Sequence, residues 1–222
     1  PYGTKSKETV TKFSLENILF LLEKNVKLVV VACNTASSLA LPSIRKFFRI
    51  PILGVIFPGA KEAVSVTQNR KIGVIATRST IKSNSYVSEI KNIDPKVKVF
   101  SVECPLFVPL VEENWVNNTI TQAVAKTYLK PFKKYGIDTL ILGCTHYPLL
   151  KNIISKVLGN GITLIDSAKQ VALEVKHLLN TEGMFSNHKR AIHEFYVSDE
   201  PTHFKELAQR FLGCSIENVR RV

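Results

Sequence analysis

Two cysteines of this chain lie in closely similar sequence settings. Cys144 follows the apolar run 139–143 and precedes His146 by two residues. Cys33 follows a second apolar run, 28–32, and again has two polar residues after it. A thiol can act as an acid, a base, a nucleophile or a metal ligand, and a nearby imidazole can carry protons to or from it. The pattern raises the question of why one chain presents two matched thiols.

Four interpretations of these cysteines stay open on the residues alone. Either cysteine by itself is well explained as a buried core residue. Cys144 with His146 also fits a nucleophile and its base in a hydrolase or transferase, but that chemistry needs no second thiol. A metal site is disfavoured because these motifs supply only two cysteines and one histidine. Inversion of a stereocentre needs two opposed acid/base groups, and the matched pair favours this fourth interpretation.

The apolar runs before both cysteines are predicted to be buried strands of parallel sheets. Ligands of such sheets bind at the carboxyl ends of the strands, where the cysteines and the pairs Thr77/Ser79 and Asp166/Ser167 would lie. A helix N-terminus after each strand would favour the thiolate form. Neutral hydrogen-bond donors that could hold carboxylates follow the two cysteines, namely Asn34, Thr35 and Thr145.

Strands and helices alternate in the predicted order. Strands are predicted at 26–32, 50–56, 71–76, 97–102, 138–142, 163–165 and 194–197, and helices at 7–24, 35–48, 60–66, 81–91, 117–135, 149–157, 166–179 and 204–211. Pro58-Gly59 is predicted to interrupt the chain, and 104–110 to be irregular because of its prolines. This alternation predicts parallel α/β layers, and the two strand–cysteine turns suggest two related halves.

Composition narrows the classes of protein. The 222 residues are 45% hydrophobic and 22% charged, as expected for a globular chain. No apolar run approaches the roughly 18 residues that span a bilayer, and the start is polar, so we expect a cytoplasmic protein without a membrane segment. The net charge of +12 is spread along the chain, and no motif that reads a nucleic-acid groove accompanies it. Nucleic-acid binding is therefore disfavoured. Cys104 and Cys214 are predicted to pack as small apolar residues, and no spacing fits a zinc motif.

The cysteine motifs, Val-Ala-Cys-Asn-Thr-Ala at 31–36 and Leu-Gly-Cys-Thr-His-Tyr-Pro at 142–148, closely resemble the two signature motifs of bacterial glutamate racemases. The resemblance extends over essentially the whole chain. It includes segments 1–6, 54–56 with 58–60, 104–112 and 164–167, and the tail from 195 through 213, in family order.

The resemblance implies a cofactor-independent enzyme that interconverts L- and D-glutamate and supplies D-glutamate for peptidoglycan. Cys33 would act on D-glutamate and Cys144 on L-glutamate, with His146 supporting Cys144. The residues that the resemblance places around the substrate are Tyr2, Gly3, Asn34, Thr35, Thr145, Thr77, Thr80 and Glu112. It also implies a homodimer, and a site that needs no metal.

The implied fold has two flavodoxin-like α/β domains with the site between them. The first would comprise 1–56 with 170–222, and the second 57–169. Two departures from the family accompany this expectation. A leading strand and an Asp-Ser turn precede the Pro-Tyr-Gly motif in the family, and we expect them to be missing here. Phe57 stands where many members carry glutamate.

Two rival functions remain at this stage. An aspartate racemase of the same superfamily is the nearest enzymatic alternative, and the extended match beyond the cysteines disfavours it. A racemase-like binding protein that contacts nucleic acid through its basic surface is the alternative from another class. The intact pair of thiols argues against binding as the main role.

Overall fold

Strands alternate with helices through most of the chain in the computed structural model, which describes residues 1–188 and 190–222. The strands are β1 (Val29–Val31), β2 (Ile52–Gly54), β3 (Lys71–Ala76), β4 (Lys98–Glu103), β5 (Thr139–Gly143), β6 (Thr163–Ile165), β7 (Phe195–Val197) and β8 (Val219–Arg221). The helices are α1 (Lys7–Glu23), α2 (Asn34–Leu39), α3 (Leu41–Ile44), α4 (Ile56–Val66), α5 (Arg78–Lys82), α6 (Ser85–Ile93), α7 (Phe107–Glu112), α8 (Thr119–Tyr135), α9 (Lys151–Leu158), α10 (Ser167–Thr181) and α11 (Pro201–Leu212). The chain forms two units, Pro1–Met184 and Phe185–Val222.

The first unit contains a four-stranded parallel sheet in the order β4-β3-β5-β6. Every residue of β5 is buried, because side chains alternate between two covered faces of the sheet. Leu140 and Leu142 face one core with Phe107 and Tyr147. Ile141 faces the opposite core. The end of β5, where Cys144 follows, is therefore fixed from both sides.

A smaller parallel sheet of the same unit pairs β1 with β2. Its core includes Val29 and Ile52, with Val10 and Ile18 from α1. The predicted strand at 26–32, buried on both faces, is wrong in length, and Val30 remains 36% exposed. The reason is that β1 has one strand neighbour in the described residues and is covered by that core on one face only.

The prolines proved less disruptive than the sequence suggested. Pro58 and Gly59 lie inside α4 and do not interrupt the chain. Pro109 lies inside α7, a helix that the prediction of an irregular segment missed. Both prolines are the third residue of their helix, where the missing N–H would have had no partner within the helix. Pro42 is the second residue of α3, and the predicted helix 35–48 is divided just before it, between α2 and α3.

The second unit is a strand–helix–strand arrangement. β7 and β8 pair in parallel, and α11 connects them. The sequence predicted β7 and α11 but missed β8. Cys214, predicted to pack as an apolar residue, is exposed instead, whereas Cys104 of the first unit is buried as predicted.

The predicted α/β class with parallel sheets is confirmed. The division into domains at 1–56 with 170–222 and at 57–169 stays a prediction. Among the described helices, none combines the length and the apolar character needed to cross a membrane.

Candidate active site

The two matched cysteines line one cavity of about 500 Å³ in the first unit. Cys144 directly follows the last residue of β5. Cys33 lies two residues after β1 and is the N-terminal cap residue of α2. The two thiols therefore reach the same cavity from the carboxyl ends of strands in two different sheets, as expected for sites of parallel α/β proteins.

Nine of the eleven residues predicted for the site line this first cavity. They are Tyr2, Gly3, Cys33, Thr35, Thr77, Glu112, Cys144, Thr145 and His146. The remaining two are placed differently. Asn34 lines a second cavity of about 490 Å³, which shares Cys144 and Thr145 with the first. Thr80 is buried behind Thr35 and Thr77 and lines neither of these two cavities.

The Cys144 thiol is kept protonated by its surroundings. Cys144 is 7% exposed, and burial raises the pKa of its thiol to about 12. A negative charge on Cys33 or Glu112 raises this pKa further, whereas His146 and Thr145 lower it. A 3-10 helix, Tyr147–Leu150, begins three residues after Cys144 and leads into α9, but burial still raises the pKa of the thiol, so the thiolate expected from a helix N-terminus is not favoured.

His146 connects Cys144 to Glu112. Its Nε2 lies 3.3 Å from Glu112 Oε1, and its Nδ1 lies 3.8 Å from Cys144 Sγ and 3.3 Å from Thr145 Oγ1. A carboxylate only accepts hydrogen bonds, so the neutral imidazole carries its hydrogen on Nε2. The Nδ1 lone pair then faces the thiol. Burial lowers the pKa of His146 and Glu112 opposes this shift, which leaves the ring neutral and able to accept a proton at pH 7.

Three threonine hydroxyls form a closed triangle at the back of the first cavity. Thr35 Oγ1 lies 3.0 Å from Thr77 Oγ1 and 3.2 Å from Thr80 Oγ1, and the last two oxygens are 3.0 Å apart. Thr77 also caps the N-terminus of α5. Each hydroxyl can donate once and accept twice, so the triangle can satisfy all three donors among themselves, and it joins α2 to α5.

The N-terminal loop is held against the same helix α5. Ser79 Oγ donates to the Gly3 carbonyl over 2.9 Å. A Cβ on Gly3 would lie 2.6 Å from Thr77 Cγ2 and 2.7 Å from Thr77 Cβ, so this close approach requires glycine. Tyr2 Oη accepts a hydrogen bond from Asn17 Nδ2 over 3.4 Å, and burial raises the pKa of the tyrosine.

Sequence reasoning missed two cationic residues of the first cavity. Lys5 and Arg78 line it, although neutral donors alone had been expected there. Arg78 also pairs with Glu103, and its position just after β3 was the available signal. Asp166 and Ser167, expected at the carboxyl end of a strand, line the second cavity. Within the residues that the structure describes, no three His, Cys, Asp or Glu side chains converge as metal ligands would.

Comparison with known proteins finds similar chains of one family. A family model for Asp/Glu/Hydantoin racemases matches residues 2–175. The glutamate racemase of Geobacter metallireducens is 46% identical over 223 residues, which cover all of this chain and 83% of that protein.

Two solved structures are similar over the whole chain. Glutamate racemase isoform RacE1 from Bacillus anthracis superposes with a TM-score of 0.96 at 40% identity, covering 100% of this chain and 83% of that one. Glutamate racemase from Francisella tularensis, solved in complex with D-glutamate, gives a TM-score of 0.94 at 37% identity, with the same coverage of both chains. The matched thiols, the fold and these similarities lead to one conclusion: the chain belongs to the Asp/Glu/Hydantoin racemase family.

Proposed function

We propose that this chain racemises glutamate by proton exchange at Cα between Cys33 and Cys144. The observation that carries the proposal is the meeting of two thiols, from two separate strand ends, in one cavity. Its volume of about 500 Å³ is in the range of small-molecule sites. The similar chains named above are glutamate racemases, and one of them was solved with D-glutamate. Supply of D-glutamate for peptidoglycan is the role that the family resemblance implies.

The proposed reaction transfers one proton at each face of Cα. With D-glutamate, a Cys33 thiolate removes the Cα proton, and the electron pair of the broken C–H bond is delocalised into the carboxyl group. The Cys144 thiol gives its proton to the opposite face and becomes the thiolate. With L-glutamate the same steps run in reverse. The high pKa of Cys144 suits the donor role in the first direction.

The reverse direction requires Cys144 to lose its proton first. Among the described residues, His146 is a base in contact with this thiol: its Nδ1 lies 3.8 Å from Cys144 Sγ. Glu112 would stabilise the imidazolium that results, because it hydrogen-bonds to the opposite nitrogen. We therefore assign His146 the role of proton acceptor for Cys144, and Glu112 the role of orienting His146.

The two carboxylates and the ammonium group of glutamate need partners that do not titrate near pH 7. Proposed partners in the first cavity are Tyr2, Gly3, Thr35, Thr77 and Thr145, with Asn34 reaching the substrate beside Cys144. Thr80 would act through Thr35 and Thr77, to which it hydrogen-bonds. Lys5 and Arg78, which also line the cavity, would favour entry of an anion.

Exchange of the Cα hydrogen with deuterium oxide tests the two-thiol proposal. Cys33→Ala and Cys144→Ala should each lose racemisation by roughly three orders of magnitude or more. Cys33→Ala should still exchange the Cα hydrogen of L-glutamate with retention, and Cys144→Ala that of D-glutamate. Cys104→Ala and Cys214→Ala are matched thiol deletions outside the cavity and should keep racemisation. Near-normal turnover by either active-site variant would refute the two-base mechanism.

The family name also covers aspartate, so the substrate must be tested directly. L-glutamate and L-aspartate should be incubated side by side in deuterium oxide with the parent chain. We expect Cα exchange with glutamate and little with aspartate. Exchange with aspartate alone would assign the chain to the other substrate.

The setting of the reaction is proposed as a cytoplasmic homodimer. All four cysteines are free thiols, as is usual in a reducing compartment. Light scattering during size-exclusion chromatography would measure the mass in solution. A mass that stays at that of one chain over the working concentration range would contradict the dimer.

A further inference from the structure

Tyr86 contacts the residue next to the first catalytic thiol, although it lies 52 positions away from it in the sequence. Its Oη donates to Asn34 Oδ1 over 2.7 Å, and Ser167 Oγ lies 3.5 Å from the same Oη. All three side chains are buried, with exposures of 3% for Tyr86, 5% for Asn34 and 6% for Ser167. The cluster brings together three helices, α6, α2 and α10.

The hydrogen-bond geometry selects one orientation of the Asn34 amide. A tyrosine hydroxyl has a single hydrogen, and here the short contact to Oδ1 uses it. If the amide were flipped, Nδ2 would donate to Oη, and the tyrosine hydrogen would retain only Ser167 as a distant acceptor at 3.5 Å. Burial raises the pKa of Tyr86, so the hydroxyl keeps its hydrogen across the working pH range.

The selected orientation leaves the Asn34 nitrogen available for a ligand. In the described part of the chain, Nδ2 makes no hydrogen bond with a protein group, and no fully buried side-chain nitrogen or oxygen lacks a partner. The Nδ2 atom is therefore not fully enclosed by protein atoms. Asn34 lines the second cavity together with Cys144 and Thr145, which also line the first.

We propose that Tyr86 is a positioning residue for the racemase site: it holds Asn34 with its amide hydrogens directed at the space beside Cys144, where they can donate to a substrate carboxylate. The inference rests on the proposed function. Gly59 packs directly against Ser167 and Tyr86. A Cβ at this position would lie 2.5 Å from Ser167 Oγ and 3.4 Å from Tyr86 Oη, so a larger residue would disturb the cluster.

A double-mutant cycle in the full chain tests this role. Tyr86→Phe removes the hydroxyl alone and should lower kcat/KM for glutamate about tenfold, the effect of one lost hydrogen bond. Asn34→Ala should lower it roughly 100-fold. If Tyr86 acts through Asn34, adding Tyr86→Phe to Asn34→Ala should cause no further loss. Independent, multiplying losses would show a merely structural role and overturn the proposal.

Tyr147→Phe is the matched control. Tyr147 is also fully buried, and its Oη donates to the Cys104 carbonyl over 2.8 Å, away from Asn34. It should lower thermal stability about as much as Tyr86→Phe, and its effect on kcat/KM should be the same with or without Asn34. A Tyr86→Phe protein whose kcat/KM matches that of Tyr147→Phe would also refute the proposal.

A measurement without substrate separates this inference from the proposed function. In protein labelled with ¹⁵N-asparagine, the Asn34 side-chain amide signals are identified by their loss in Asn34→Ala. Tyr86→Phe should shift them and Tyr147→Phe should not. A parent chain inactive on glutamate would refute the proposed function, whereas unchanged Asn34 signals in Tyr86→Phe would refute the positioning contact.

Discussion

Glu112 accepts a hydrogen bond from the His146 imidazole, with 3.3 Å between Oε1 and Nε2. This single contact decides which ring nitrogen faces Cys144. The opposite nitrogen, Nδ1, is left as a proton acceptor 3.8 Å from the thiol sulfur. In the proposed mechanism, a residue more than thirty positions away in the sequence thus sets the direction in which Cys144 can pass on its proton.

Glu112→Gln should slow racemisation roughly 10- to 100-fold, since a glutamine no longer fixes the tautomer or stabilises the imidazolium. The carboxylate raises the pKa of His146, so its removal should lower that pKa further. The acid limb of the pH profile of kcat should therefore move to lower pH. An NMR titration of the His146 ring should show a midpoint lowered in the same way.

Glu113→Gln is the control for this variant, because Glu113 is the exposed neighbour that follows α7. It should change neither the rate nor the titration. A His146 titration that moves to higher pH in Glu112→Gln would contradict the assigned contact. Both enantiomers have the same free energy, so kcat/KM must be equal in the two directions for every variant. This equality is an internal check on each set of kinetic data.

Gly3→Ala should raise KM for glutamate about tenfold and destabilise the fold by about 1–3 kcal/mol, because the new methyl would overlap Thr77. Steady-state kinetics and chemical denaturation measure the two effects. Adding Thr77→Ser removes the closer contact, at Cγ2, and leaves the contact at Cβ, so it should restore KM only in part. An unchanged KM in Gly3→Ala would show that the loop at the cavity is not held against α5.

Thr80→Val should destabilise the chain by about 1 kcal/mol and raise KM a fewfold, since it breaks the hydroxyl triangle without touching the cavity. Thr35→Val, which changes the cavity wall itself, should raise KM more. Thr121→Val is the control: that hydroxyl is also buried and donates to the Trp115 carbonyl in a different core. It should lower stability and leave KM unchanged. Equal KM values for Thr80→Val and the parent would place the triangle outside substrate binding.

Asp138→Asn should lower stability by about 1–2 kcal/mol at pH 7, a figure reduced for solvent screening. Burial opposes the ionised form of Asp138, but hydrogen bonds from Thr67, Asn69, Thr139 and Gln68 outweigh it and lower the pKa of the carboxyl group. Stability from a lowered carboxyl pKa is present above the unfolded value of about 3.9 and is lost as pH falls through the folded value.

The difference between parent and Asp138→Asn, measured by denaturation, should therefore shrink as the pH is lowered below about 4. Glu23→Gln, at the exposed end of α1, should show no such dependence. A difference that stays constant down to pH 3 would mean that the loop 67–69 does not depend on the Asp138 charge.

The sequence predicted the elements whose signals are local. β3, β6 and α8 with its Gly136 cap appear at or near the predicted residues, because apolar periodicity and a glycine with positive φ act over a few residues. α7 was missed because its proline was read as a breaker, although a proline in the first helical turn costs little.

Residues of the candidate site could be predicted where they belong to a sequence motif. Cys33, Cys144 and His146 were predicted from spacing and family resemblance, and the structure brings all three to one cavity at the ends of two strands. Tyr86 carried no signal, because its contact with Asn34 joins two helices and depends on tertiary packing. The charge state of Cys144 could not be read from sequence either, since it depends on burial and not on the residue type.

The two thiols differ in their exposure to reagents. Cys33 is only partly buried, whereas Cys144 is 7% exposed. A peroxide or an alkylating agent dissolved in the surrounding water would therefore reach one base well before the other. Oxidation of Cys33 would then remove the proposed base for D-glutamate and stop racemisation by the proposed mechanism. A bound substrate, lying over Cys33 in the shared cavity, would protect the thiol from such reagents.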